Sequence, residues 1–164
     1  MDSADIEELK SLKEYPFVKG VTCNPSIISK AINKNRLTQG EFYSLITKLA
    51  KLSPGDIFIQ TNFTETQDII AEAKKINAHI PKSIIKIPFT KDGLQAIKKL
   101  KPLKIKTAAT ALFDARQAYI AAMCGADYVI PYCNRITHSG GNGIQVSKNI
   151  LQLILKHGVT YSRD

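Results

Sequence analysis

The chain has 164 residues, 44% of them apolar, and a formal net charge of +9. That length supports one domain with a proper core, and no apolar run approaches the ~18 residues that a membrane-spanning helix needs. The acidic start Met1-Asp2-Ser3-Ala4-Asp5 is the wrong chemistry for a signal peptide, and Cys23, Cys124 and Cys133 lack CxxC spacing, so a reduced, cytoplasmic chain is expected.

A first strand is expected over 18–23, followed by a helix announced by Asn24-Pro25, an N-cap and a proline at the first helical position. A second strand follows over 57–61. Thr64-Glu65-Thr66-Gln67 has the form of a capping box ahead of the apolar stripe Ile69, Ile70, Ala73 and Ile76. The third strand, over 84–87, is the run Ile84-Ile85-Lys86-Ile87, and Thr90 caps the helix after it. A fourth strand over 105–109 leads to a helix through Ala118 and Ala122, closed by Gly125. A fifth strand over 128–131 precedes a helix over 144–157, and a sixth begins at Val159. This spacing is that of βα units rather than the ~8–12 residues of a sandwich. The chain is therefore α/β with a parallel sheet.

No Gly-rich nucleotide turn follows the first strand, as a doubly wound sheet would usually show. A (β/α)8 barrel needs about 250 residues and eight strands. Pattern alone selects neither. Charge is no better guide to nucleic acid. The lysines are spread along the chain, as in Lys74-Lys75 and Lys98-Lys99 on polar helix faces, without interleaved aromatics. An anionic small substrate fits better, with no nucleic acid and no membrane as partner.

In parallel α/β folds the reactive groups stand at the C-terminal ends of strands. Here those ends carry Thr22-Cys23-Asn24, Gln60-Thr61-Asn62, Lys86, Thr110 and Tyr132-Cys133-Asn134-Arg135. The set contains one amine, one guanidinium and neutral hydrogen-bonding groups. His79, His138 and His157 are scattered, so no metal site is expected. Lys86 stands out, because an ammonium within a β-branched apolar run loses its water. Desolvation of that kind favours the neutral amine, which attacks carbonyls. Taken alone, the same lysine also reads as a snorkelling edge residue. By strand alternation, Lys86 points to the interior if Ile85 and Ile87 pack on helices. The Gly-rich run Ser139-Gly140-Gly141-Asn142-Gly143 lacks the Lys-Ser/Thr of a P-loop and reads as a mobile loop.

Three segments then carry a resemblance: Gly20-Val21-Thr22-Cys23-Asn24-Pro25-Ser26-Ile27-Ile28, Ile85-Lys86-Ile87-Pro88 and Tyr128-Val129-Ile130-Pro131-Tyr132-Cys133-Asn134-Arg135. Together with Asp2-Ser3-Ala4-Asp5-Ile6 they resemble the small transaldolase family, most closely its fructose-6-phosphate aldolase branch, from Asp2 to about Gly158. The resemblance implies a TIM-type (β/α)8 barrel and a class I aldol mechanism with no cofactor and no metal. Lys86 matches the Schiff-base lysine. Asp2 and Asn24 match residues that hold substrate hydroxyls, while Gln60, Thr110 and Tyr132 match the group that positions a water, Tyr132 as acid/base. Arg135 matches a phosphate ligand, and Thr22 and Asn134 join the substrate-binding set. Transaldolases resembling this chain carry Glu and Phe where Gln60 and Tyr132 stand, so the aldolase branch is favoured over transfer of a dihydroxyacetone unit.

Against that family's barrel the chain is expected to be incomplete, with five to six strands in a single partial domain over 1–164 and the first strand and last two βα units missing. An inert relative that only binds phosphosugars is the further alternative. A sugar phosphate is the expected partner, and a homo-oligomer is expected of the full-length chain.

Overall fold

The computed structural model describes residues 1–33 and 37–156. Five strands, β1 Gly20–Cys23, β2 Asp56–Gln60, β3 Ser83–Pro88, β4 Thr107–Leu112 and β5 Tyr128–Pro131, take chain order in one sheet. β1 pairs with β2 and β4 with β5, both in parallel. The helices are α1 Ile6–Lys10, α2 Pro25–Ile32, α3 Gln39–Leu52, α4 Thr66–His79, α5 Lys91–Leu100, α6 Ala115–Met123, α7 Cys133–His138 and α8 Gly143–Lys156. This is the α/β alternation of an incomplete TIM-type barrel. The end of the helix expected at His157 and the strand expected from Val159 lie outside the described residues. Among the described residues no helix is long and apolar enough to cross a membrane.

The described residues divide into two compact units, one within 1–63 with 71–85, the other 64–70 with 86–156. In the first, Val21, Cys23, Ile57 and Ile59 are completely buried. Each large aliphatic buried this way contributes about 1.5–3 kcal/mol. Leu9 of α1 and Ile46 and Leu49 of α3 join the core, as do Ile76 of α4 and Ile84 and Ile85 of β3, and α1 packs on α3. Both helices have strong starts. Asp5 accepts from the backbone N–H groups of Glu7 and Glu8, and Thr38 and Glu41 form a reciprocal capping box.

Residues 1–3 extend the first unit's sheet along β1. Thr22 N–H donates to the Met1 carbonyl at 2.7 Å, and Ser3 N–H donates to the Thr22 carbonyl at 3.0 Å. Asp2 thereby forms a parallel bridge with Thr22.

The core of the second unit gathers Leu112, Ala118, Ile150 and Ile154, with Phe89, Ala115, Val129 and Val146 against them. Thr90 caps α5 through Gly93 N–H, and Asp114 caps α6 through Gln117 N–H. Gly125, at φ +97°, follows α6 in the conformation that glycine adopts without cost.

Three expectations shift. The fourth strand starts at Thr107, not 105, and runs to Leu112. Lys104 adopts a left-handed conformation just before it, and Asp127 Oδ2 accepts from Thr107 N–H at 2.9 Å. Helix α4 begins at Thr66, one residue later than a cap at Thr64 implies, and the Thr66 hydroxyl donates to Asp92. The Gly-rich run leads straight into α8, and its polar groups are used locally. Asn142 Oδ1 accepts from Gln145 N–H at 2.9 Å, and Gly143 N–H donates to Thr137 Oγ1 at 3.3 Å. A Cβ at Gly143 would stand 2.2 Å from the Cys133 carbonyl oxygen, so only glycine fits.

Candidate active site

Lys86 is central in β3 and only 6% exposed. Its neighbour Ile87 faces α5, where a Cβ at Gly93 would meet Ile87 Cγ2 at 3.1 Å. Adjacent strand residues point oppositely, so Lys86 faces away from that helix. The condition set by alternation, that Ile87 packs on a helix, is thus met.

Thr110 of β4 faces the same way. It pairs in register with Ile130, and Leu112 pairs with Pro131. Register partners share a face and consecutive residues do not, so Thr110 and Leu112 stand on opposite faces. Leu112 belongs to the core with α6 and α8, which leaves Thr110 turned away from the helices. Its side chain is 1% exposed, and Oγ1 has no hydrogen-bond partner among the described residues. Thr61 Oγ1 and Ser83 Oγ share that state, and a hydroxyl of this kind is able to bond a water or a ligand group.

Tyr132 follows β5 at the start of α7, half-buried. Its ring meets Phe113 edge-on at 5.8 Å, and the Arg135 guanidinium lies over it at 4.7 Å. Such cation–π contact contributes about 0.5–1 kcal/mol at an exposed site. Asn134 and Arg135 are exposed on α7, one turn of helix that the sequence did not announce. Cys133 Sγ stands 2.9 Å from Ser147 Oγ, which joins the start of α7 to α8. None of the three cysteines forms a disulfide.

The first unit gathers the other set. Thr22 pairs with Phe58, and Asp2 bridges to Thr22, so Asp2, Thr22, Phe58 and Gln60 share one face. Thr22 Oγ1 donates to Asp2 Oδ1 at 2.5 Å. Asn24 caps α2, its Oδ1 accepting from Ile27 N–H at 3.0 Å. Gln60 ends β2.

Glu72 went unnoticed in the sequence. Although 8% exposed, its carboxylate accepts from Asn62 N–H at 2.7 Å and from Asn62 Nδ2 at 2.9 Å. It therefore fixes the loop that leaves β2 two residues after Gln60. Its signal was there to read, since Glu72 lies on the apolar stripe of α4 between Ile69 and Ile76. Among the described residues no three His, Cys, Asp or Glu side chains converge as metal ligands.

A family model described as transaldolase/fructose-6-phosphate aldolase matches residues 1–162. The chain belongs to that family. A curated relative named probable transaldolase, from Shouchella clausii (strain KSM-K16), is 34% identical over 160 residues, spanning 97% of this chain and 70% of its own length. The resemblance expected from Asp2 to about Gly158 is borne out, and the protein is an enzyme of the aldolase/transaldolase kind.

Proposed function

We propose that the chain uses Lys86 to form a Schiff base with a ketose phosphate such as fructose 6-phosphate and cleaves or forms it as an aldolase. The observation that carries this reading is the placement of Lys86. It is a nearly buried amine between Ile85 and Ile87, turned to the same side as the unsatisfied hydroxyl of Thr110. The neutral amine adds to the C2 carbonyl, and loss of water gives an iminium. The C4 hydroxyl gives up its proton, the C3–C4 bond breaks, and its electron pair flows into the iminium, leaving an enamine and an aldehyde. Protonation of the enamine at C3 and attack of water on the resulting iminium release dihydroxyacetone and restore the amine.

In this reading Tyr132 moves the protons and Thr110 and Gln60 hold the water. Arg135 takes the phosphate, a task suited to a bidentate guanidinium. Asp2, Thr22, Asn24 and Asn134 offer the groups that sugar hydroxyls bind. A transaldolase, which passes the enamine to a second aldose, is the second reading, supported by the name of the Shouchella clausii relative. Gln60 and Tyr132 favour the aldolase, since a phenol with a held water protonates the enamine instead.

Borohydride reduction in the presence of dihydroxyacetone tests the reading. We expect a mass adduct on Lys86 that disappears in Lys86→Met. A folded protein without adduct overturns it. Release of free dihydroxyacetone from fructose 6-phosphate without an added aldose separates aldolase from transaldolase.

A further inference from the structure

β4 contains a defect in its pairing. The register with β5 slips between Thr110 and Leu112, so Ala111 is an extra residue in the strand. Ala111 has φ +61°. Glycine is the usual occupant of that left-handed conformation, and a Cβ there is strained.

The consequence shows in both backbone and side chains. In a regular strand, residues two apart present their carbonyls to the same neighbour and their side chains to the same face. Here the Thr110 carbonyl accepts from Phe89 N–H, just past β3, at 2.9 Å, while the Leu112 carbonyl accepts from Tyr132 N–H, just past β5, also at 2.9 Å. The two carbonyls point to opposite sides. The two side chains do likewise, Leu112 into the helical core and Thr110 away from it. Without the bulge, Thr110 and Leu112 would compete for one face. Either the hydroxyl would turn into an aliphatic core, or Leu112 would leave it. The residue after Leu112 is Phe113, the edge-on neighbour of Tyr132.

We propose that Ala111 is a positioning residue for the reaction, acting through Thr110: its left-handed bulge turns the Thr110 hydroxyl to the side of Lys86 while Leu112 anchors the strand in the core. This rests on the Schiff-base reading above and adds to it a backbone device with no chemistry of its own. Bulges beside reactive groups commonly re-aim a side chain in this way.

The test uses Ala111→Val and Ala111→Gly. A β-branched residue resists positive φ, so Ala111→Val drives β4 toward regular alternation. We expect its kcat to fall about 10- to 100-fold, the scale of a displaced positioning group, while the borohydride adduct on Lys86 forms as in the parent. In a Thr110→Val background the same substitution changes kcat less than about twofold, because its target is already gone. Ala111→Gly keeps the bulge, keeps kcat within about twofold of the parent, and raises Tm. In a regular strand that substitution lowers Tm.

A parent chain that traps dihydroxyacetone beside an Ala111→Val variant of unchanged kcat overturns this inference alone. So does an effect that multiplies undiminished in the Thr110→Val background. Where Ala111→Val does not fold, a lower Tm for Ala111→Gly overturns it. A folded parent without adduct overturns the Schiff-base reading itself, and the role of Ala111 with it.

Discussion

Between β1 and β2 the pairing runs unbroken from Gly20 and Asp56 to Cys23 and Ile59, whereas between β4 and β5 it slips at Ala111. In the first pair, alternation alone sends Thr22 and Gln60 to one face and Val21, Cys23, Ile57 and Ile59 to the buried one. A polar residue one position away from its buried neighbours needs no special backbone. In the second pair the polar residue and the core anchor are themselves two residues apart, and plain alternation would set them against each other. Ala111 resolves the conflict at the cost of local strain. A strand can therefore carry a polar group facing away from its helices in two ways, by phase or by defect, and the two respond differently to substitution.

The largest expected effect comes from the anchors. Ile59→Ala and Leu112→Ala each remove a fully buried side chain and should each cost about 2–5 kcal/mol, read from urea unfolding. Their kinetics should diverge. Ile59 sits in a strand whose register is held along its length, so turnover should follow the folded fraction. Leu112 is the residue against which the bulge turns, so Leu112→Ala should lower kcat of the folded protein as well. Equal kcat in the two folded variants would remove the distinction between the strand pairs.

Next in size is Glu72, the device that serves the regular pair. Its two oxygens each accept one bond from Asn62. Glu72→Gln leaves one oxygen and points an amide donor at a donor, which should cost about 1–3 kcal/mol. Asn62→Ala removes only the side-chain half of the interaction and should cost less. If thermal unfolding finds Glu72→Gln as stable as the parent, Glu72 is not what holds the end of β2.

Much of this was legible in the sequence, and the gaps have physical causes. The β-branched run Ile84-Ile85-Lys86-Ile87 is strand-forming on any reading, and it places Lys86 correctly. Asn24-Pro25 announces α2, because both residues serve the first helical turn. By contrast, Thr107-Ala108-Ala109-Thr110-Ala111-Leu112 is alanine-rich and weak in β preference. Its strand was read early, and its bulge carries no glycine to mark positive φ. Helix α3 does carry the Thr38–Glu41 box, a signal left unread beside the similar Thr64-Glu65-Thr66-Gln67. Thr66 itself answers to Asp92, distant in sequence, which no local pattern encodes. Of the candidate groups, Lys86 alone was given a side by strand phase, while Thr22 and Gln60 were named only as residues at strand ends. The register slip that sets Thr110 and Leu112 on opposite faces is visible only in three dimensions.

The smallest effect is on acid stability, and it isolates the helix starts that hold the second unit. Asp92 titrates below its ordinary 3.8, first because the Thr66 hydroxyl donates to it and then because Thr66 N–H does. Asp114 is likewise lowered, chiefly by Gln117 N–H at the start of α6. A carboxylate whose folded pKa is depressed adds stability that is full above its unfolded pKa and is lost as pH falls through the folded value. The parent should therefore hold its Tm down to about pH 4 and lose it steadily below. Asp92→Asn and Asp114→Asn should start lower at neutral pH and fall less over the same acid range, because the titrating group is gone. The same effect is weaker in salt, since both carboxylates are near solvent. Acid profiles that superimpose on the parent's, merely offset, would mean that neither cap couples to protonation and that acid unfolding begins elsewhere.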